Sequence, residues 1–527
     1  MLNSNHNYLK NISMKIYKYL FLLLVSLSIV GCSDLEEEPV GLLAPEGFFQ
    51  TTDDIQTAVN GAFTAGINEK FWGRKLSIAL MLRSDMVDLA SSQTRRVEHD
   101  ELTTLASNGM ISEFWPKTYQ GIAAANQAIA GAEDVDTDEN VKNPITAQAY
   151  FARAFYYFHL VRLFGDIPYI DAPITDADAI ASISKTSAAE VYNNIISDLQ
   201  YAKTWLPNTT ASRAIPSKGA ASSYLALVYL TQGEWQKAFD EAKEVIDNAG
   251  TYQYELDSNF QNLFNAEVID SSKEPIFALD YNNVEADNNA YDQIAPMTGI
   301  RGDDRNSGGG WSVAVPTLAV YTTWDAGDYR RAVSMDDEAS IKGAVVDYTN
   351  FTVSGHEHAK NNPYIAKYTR YPGAFARGNA RATSHNYSMI RYAEVLLIAA
   401  EAAVELGDNA SALNYINQVR ARARMGGTTK TGADVPVTVA PSAVPADLAG
   451  TVTVEDVLEE RRLELAFECK RWYDIARRKM GGAPYNVFSA SGLEGEKPNF
   501  TPDDYLLPLP EDELERNPNL LPQNDGY

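Results

Sequence analysis

The sequence predicts a mostly α-helical protein built from tetratricopeptide-like helix pairs, with irregular loop-rich insertions and short strands between them. Two stretches, 224–246 and 394–419, repeat one pattern in which an apolar helix ends at a glycine and a second helix follows. Gly233 and Gly407 are these glycines, and glycine readily adopts the left-handed backbone that stops a helix. In both stretches an alanine five positions later lets the second helix pack closely, as in stacked helix-pair repeats.

Apolar periodicity predicts four further helices. The first carries apolar positions through 115–129, and the second, 147–164, is apolar on nearly every side and should be buried. A third helix at 188–205 places its apolar residues on one face. The fourth, 454–480, is long and rich in charge. Irregularly spaced aromatics among Asn, Asp and Gly predict loops and short strands between these helices.

These patterns divide the chain into successive regions. The regions are a signal peptide at 1–31, an acidic lipidated tether at 32–45, a helical repeat region at 46–260, a loop-rich ligand-binding insertion at 261–384, a second helical repeat region at 385–480 that contains a loop at 425–450, and an extended proline-rich tail at 481–527.

The amino terminus has the features of a bacterial lipoprotein signal. Lys15 and Lys18 precede an apolar run of about a dozen residues, which is too short for a membrane span of about 20. The run ends in Ile29-Val30-Gly31-Cys32, which resembles a lipobox, so Cys32 is the predicted lipidation site. The acidic residues that follow resemble a surface-export signal or form a solvated tether. Translation starts at Met1 or at Met14.

Overall charge excludes one class of partner. With 44 Lys and Arg against 70 Asp and Glu, the net charge is −26. Nucleic-acid binding depends on cations that neutralise phosphates, so this balance predicts no nucleic-acid partner.

Five segments, in order along the chain, together resemble the SusD/RagB family of nutrient-binding outer-membrane lipoproteins of Bacteroidetes. They are the lipobox, 152–168 ending in Phe-Gly-Asp-Ile-Pro, 391–423, 460–477, and 507–527. Asp525 stands where the family's tail usually has proline.

The resemblance implies four tetratricopeptide-like repeats and insertions that carry the ligand contacts. It implies a TonB-dependent outer-membrane barrel of the SusC type as partner, and capture of oligosaccharides without catalysis or cofactor. Some members of the family bind peptides instead, and that alternative stays open. A surface glycosidase is a weaker alternative, because nothing selects two catalytic carboxylates from the 70 acidic residues.

Two tryptophans in loops are the predicted ligand contacts. Trp72 lies beside Arg74, and Trp311 follows a glycine run and the polar residues Arg301 and Asn306. Flat rings can stack on the C–H face of a sugar while polar neighbours meet its hydroxyls. Tyr291 is the sixth candidate in this set. The alternative for each tryptophan is an aromatic that anchors its loop.

Two charged motifs are predicted to be structural. Glu460, Arg461, Glu464, Glu468, Arg471, Asp474 and Arg477 have the spacing of ion pairs along one helix. His356-Glu357-His358 lacks the spacing of a helical zinc site, so no metal is predicted.

Overall fold

A computed structural model describes residues 47–90, 93–281, 292–305, 310–351, 361–376, 382–488 and 497–527. The predicted signal peptide, the tether and Cys32 lie outside the described residues, and so do Tyr291, Asn306 and the 356–358 motif. The two helical regions, the insertion and the tail belong to one compact unit, Leu43–Tyr527.

Helices make up most of the regular structure, as the sequence predicts. They are α1 (Thr52–Gly66), α2 (Lys75–Leu82), α3 (Thr94–Asp100), α4 (Ile111–Asp134), α5 (Glu139–Phe164), α6 (Ala177–Ile180), α7 (Ala188–Trp205), α8 (Lys218–Gln232), α9 (Trp235–Asp247), α10 (Ala249–Tyr252), α11 (Ile294–Thr298), α12 (Leu318–Thr323), α13 (Tyr329–Ser334), α14 (Tyr392–Glu405), α15 (Asn409–Ala423), α16 (Val454–Glu464), α17 (Arg471–Arg477) and α18 (Glu511–Arg516).

Short strands lie mainly in the insertion. They are β1 (Val87–Leu89), β2 (Pro275–Leu279), β3 (Ala314–Pro316), β4 (Met335–Asp336), β5 (Glu338–Ile341), β6 (Ala344–Asp347), β7 (Tyr364–Ile365), β8 (Phe375–Ala376), β9 (Ala382–Thr383), β10 (Tyr387–Arg391), β11 (Gly427–Lys430) and β12 (Pro436–Val439). Each sheet in the described ranges has two antiparallel strands, which pair β1 with β3, β2 with β10, β4 with β7, β5 with β6, β8 with β9, and β11 with β12.

The helices stack as a continuous series, and this confirms the predicted repeat architecture. Contacts run from α1 to α4, then to α5, α7, α8, α9, α14 and α15. The insertion leaves the series after α10 and returns at β10, so α9 packs directly on α14. Gly233 and Gly407 have φ angles of 74° and 76°, the left-handed conformation predicted for the two helix ends.

Helix α5 lies at the centre of this stack. Its last fourteen residues, 151–164, are buried except for Arg162, which confirms the predicted buried helix; the helix begins at Glu139, before the predicted start. The buried guanidinium of Arg153 forms an ion pair with Asp198 of α7 at 2.8 Å. A buried charge requires such a partner, because burial otherwise disfavours the charged form.

The prediction of one long helix at 454–480 is wrong. The chain forms α16 and α17 with a break between them, where Phe467 and Cys469 adopt φ angles of 63° and 58°. The loop predicted at 425–450 likewise contains a hairpin, β11 and β12. The tail contains α18 and two short 3-10 helices, Pro502–Tyr505 and Pro518–Leu520, so it is not extended in these segments.

The break directs the charged motif into the protein rather than along one helix. Glu464, which is fully buried, binds Arg330, Arg391 and Arg422, and Glu468 binds Arg391 and Lys367. Most of the predicted ion pairs along the helix are therefore replaced by pairs between distant segments. Burial alone would raise the pKa of Glu468, but Arg391 and Lys367 hold it below its ordinary value.

None of the helices in the described ranges combines the length and apolar character needed to cross a membrane.

Candidate ligand-binding site

Helix α11 brings the two predicted ligand-contact loops together. The N–H of Gln293, just before α11, donates to the carbonyl oxygen of Gly73 at 2.8 Å. The N–H of Trp311 donates to the carbonyl oxygen of Pro296 within α11 at 2.6 Å. Two loops that are far apart in sequence therefore meet at one short helix.

Trp311 is positioned by a close crossing of two backbone segments. A Cβ on Gly310 would lie 2.3 Å from the carbonyl oxygen of Ile300, so only glycine fits there. Two residues after Gly310, the hydroxyl oxygen of Ser312 accepts a hydrogen bond from the backbone N–H of Arg301 at 2.9 Å. The Trp311 ring is half-buried against the core and keeps part of its surface exposed, and Arg301, on the segment that crosses Gly310, is exposed as well.

Trp72 does not have this arrangement. Its side chain is 1% exposed and packs against the rings of His159 and Tyr387, with centroids 5.4 and 5.2 Å away. The prediction that Trp72 offers its ring to a ligand is therefore wrong, and the alternative of a loop anchor is confirmed. The sequence carried a signal for burial, because the fully buried helix α2 begins three residues later.

The polar candidates differ in their surroundings. Arg74 is partly exposed and forms an ion pair with Glu69 in its own loop. Arg301 is exposed at the surface near Tyr364, whose hydroxyl donates to Ser312 at 2.9 Å. Tyr291 and Asn306 lie outside the described residues, so their predicted contacts stay predictions.

A polar cleft opens on the other side of the Trp72 loop, between α1 and α4. Its volume is about 470 Å³, within the usual range of about 300–1,000 Å³ for small-molecule sites. The lining includes Thr64, Asn68, Lys70, Ser112, Lys117 and Gln120. The sequence prediction missed this cleft. Its signal was faint: Glu113, Lys117 and Gln120 share one face of α4.

Two cations, Lys70 and Lys117, line the cleft together with the carboxylate of Glu113. Burial, followed by repulsion from Lys70, lowers the pKa of Lys117. The arrangement can therefore hold an anion, because a negative charge nearby favours the charged form of Lys117.

Within the described ranges, no three His, Cys, Asp or Glu side chains are grouped so that they could bind a metal ion.

Comparisons with known proteins agree with this architecture. Residues 345–527 match the SusD family, and residues 52–230 match a family described as "Starch-binding associating with outer membrane". SusD-like protein P2 of Formosa agariphila is 51% identical over 521 residues, which cover 98% of this chain and 100% of that protein. The chain belongs to the SusD family.

Two solved structures show the same SusD fold. A laminarin-binding SusD-like protein superposes with a TM-score of 0.73 at 24% identity, covering 91% of this chain and 100% of its own. Surface glycan-binding protein A of Bacteroides fluxus superposes with a TM-score of 0.74 at 21% identity, with the same two coverages of 91% and 100%.

Proposed function

We propose that this SusD-family protein captures oligosaccharides at the cell surface and delivers them to a TonB-dependent outer-membrane barrel, without catalysing a reaction. The observation that carries the proposal is the half-buried Trp311 ring at the backbone crossing of Gly310 with Ile300, where Arg301, the residue after Ile300, is exposed. Its apolar face suits the C–H face of a sugar, and the guanidinium supplies donors for hydroxyl oxygens.

The comparisons support saccharide as the ligand. The family matched by residues 52–230 is described as starch-binding, and two proteins of the same fold are named for binding laminarin or surface glycans. Aromatic stacking suits many sugars, because it depends on the ring's C–H face rather than on one pattern of hydroxyls.

Anchoring follows from the lipobox. Acylation at Cys32 attaches the protein to the outer membrane, and multiple acyl chains make such attachment stable. The acidic residues after Cys32 support an exterior position. The protein then reaches its ligand before transport, and the barrel supplies the passage across the membrane.

The test is a calorimetric titration of the mature chain from Ser33 onward, without the lipid, against a panel of oligosaccharides and tryptic peptides. Trp311→Ala is measured beside Trp205→Ala, a matched control that removes another half-buried tryptophan at the end of α7. We expect saccharide binding that Trp311→Ala weakens at least about tenfold and Trp205→Ala leaves unchanged.

Each opposite result contradicts a definite part of the proposal. If the titration shows binding heat for peptides and none for saccharides, the ligand is a peptide rather than a saccharide. If Trp311→Ala binds saccharide as tightly as the wild type does, the ligand site does not include Trp311, while the proposed function still holds.

A further inference from the structure

An excess of positive charge gathers around the cleft between α1 and α4, although the chain carries a net charge of −26. The cations in question are Lys70 and Lys117 in the lining, Lys75 and Arg95 beside the lining carboxylate Glu113, and Arg74 in the loop that carries Lys70. We refer to the cleft and these five side chains as the basic cleft. A cluster of cations in so acidic a protein indicates a local binding role, because Lys and Arg are usually interspersed with Asp and Glu on a protein surface.

Two of these cations line the cleft itself. Lys70 is exposed and Lys117 is half-buried, and neither forms an ion pair with a carboxylate of the described residues. The ammonium of Lys117 donates to the side-chain oxygen of Gln120 at 2.7 Å, which is a neutral partner. The repulsion between Lys70 and Lys117 is therefore not offset within the cleft.

The remaining cations share two carboxylates. Glu113, which also lines the cleft, binds Lys75 and lies 3.5 Å from Arg95. Glu69 binds Arg74. The described residues thus give the five cations two acidic partners, and a surplus of positive charge remains.

We propose that the basic cleft binds an anionic substituent, a carboxylate or a sulfate ester, of the captured polysaccharide. The ligand class is then an acidic glycan whose charged groups enter the basic cleft. This inference rests on the proposed function. Charge-assisted hydrogen bonds from Arg and Lys to such oxygens are stronger than those between neutral groups.

The local charge is needed because the rest of the protein repels acidic ligands. At physiological salt the Debye length is about 8 Å, so distant carboxylates are screened while cations in contact with the ligand are not. An acidic glycan can therefore bind at the basic cleft despite the overall charge.

The experiment compares ligands that differ only in charge. Oligogalacturonate is titrated beside its methyl ester, and a sulfated galactan oligosaccharide beside its desulfated form, so that carboxylate and sulfate are distinguished. The protein is the mature chain from Ser33 onward. We expect one charged member to bind at least about tenfold tighter than its neutral counterpart, and raised salt to remove the difference.

The variant Lys70→Gln/Lys117→Gln should abolish this preference and leave binding of the neutral member unchanged. Its matched control is Lys237→Gln/Lys243→Gln, which removes the same charge from two exposed lysines of α9 that pair with Glu234 and Asp247. The control should keep the preference.

The outcomes separate this inference from the proposed function. Equal binding of charged and neutral glycans would overturn the inference and leave glycan capture intact. A preference that persists in Lys70→Gln/Lys117→Gln would also overturn it. Binding of acidic peptides with no binding of any glycan would overturn both.

Discussion

The N–H of Gln293 donates to the carbonyl oxygen of Gly73 at 2.8 Å, and this bond joins the loop before α2 to the segment that leads into α11. The carbonyl of Pro296, within the same helix, holds Trp311. Helix α11 therefore joins the Trp311 segment of the insertion to the loop before α2, so the position of Trp311 depends on contacts beyond the insertion.

Gly310 should be essential for the position of Trp311. Gly310→Ala places a Cβ 2.3 Å from the carbonyl oxygen of Ile300, and one of the two segments must move. We expect oligosaccharide binding to weaken at least about tenfold and the free energy of unfolding to fall by about 1–3 kcal/mol. Calorimetry and denaturant titration measure the two effects.

The matched control for that variant is Gly250→Ala. A Cβ there would meet no atom within 4 Å, and its φ angle is not positive. This variant should bind as the wild type does and unfold at the same or a slightly higher denaturant concentration. Equal behaviour of the two variants would contradict the crossing as the cause of Trp311's position.

Trp72 should matter for stability and not for ligand contact. Its indole N–H finds no hydrogen-bond acceptor among the described residues, so Trp72→Phe loses mainly volume. We expect Trp72→Phe to keep the wild-type affinity for oligosaccharide, and Trp72→Ala to lower the free energy of unfolding by about 3–5 kcal/mol. Chemical denaturation and titration of both variants measure this. Loss of affinity in a stable Trp72→Phe protein would restore Trp72 to the site.

Asp292 should give the region before α11 a dependence on pH. Its carboxylate is buried, accepts the hydroxyl of Thr383 at 2.5 Å, and accepts the N–H of Ile294 at 2.8 Å. Burial raises its pKa from 3.8 to about 7. Between these values the folded protein keeps a proton that the unfolded chain releases, so this group makes stability fall as pH rises.

The variant Asp292→Asn removes that dependence, because its amide stays neutral. Relative to the wild type, it should gain about 1–3 kcal/mol of unfolding free energy between pH 5 and pH 8. Denaturant titrations of both proteins at the two pH values measure the difference. A constant difference across this range would show that Asp292 titrates at its ordinary pKa.

Glu464 should be indispensable to the junction of the insertion with the helical stack. Glu464→Gln leaves the guanidinium groups of Arg330, Arg391 and Arg422 with one negative charge fewer. Removing one member of a buried ion-pair network costs about 3–5 kcal/mol. Glu459→Gln, on the same helix, removes an exposed carboxylate that pairs only with Arg462 among the described residues, and should cost under about 1 kcal/mol. Similar losses in the two variants would contradict the role of burial.

Local signals in the sequence predicted much of the fold. The bounds of α7 and the helix ends at Gly233 and Gly407 depend on apolar periodicity and on glycine conformation, and both can be recognised from short segments. The repeat stacking follows from those pairs. Such features were predictable because their causes lie within about ten residues along the chain.

Long-range charge pairing was not predictable in the same way. Residues 454–480 have continuous helical character, but Glu464 pairs with Arg330 and Arg391, which are distant in sequence. Trp72 was misassigned for a related reason, because its burial comes from His159 and Tyr387. The basic cleft could not be predicted because its two lining lysines come together only when α1 and α4 pack side by side.

The most direct test of the account is a crystal structure of the mature chain with the tightest-binding oligosaccharide from the panel. The account predicts a sugar ring stacked on the exposed face of Trp311, within hydrogen-bond distance of Arg301. A sugar bound elsewhere on the protein, with the surface of Trp311 empty, would contradict the site on which the proposed function rests.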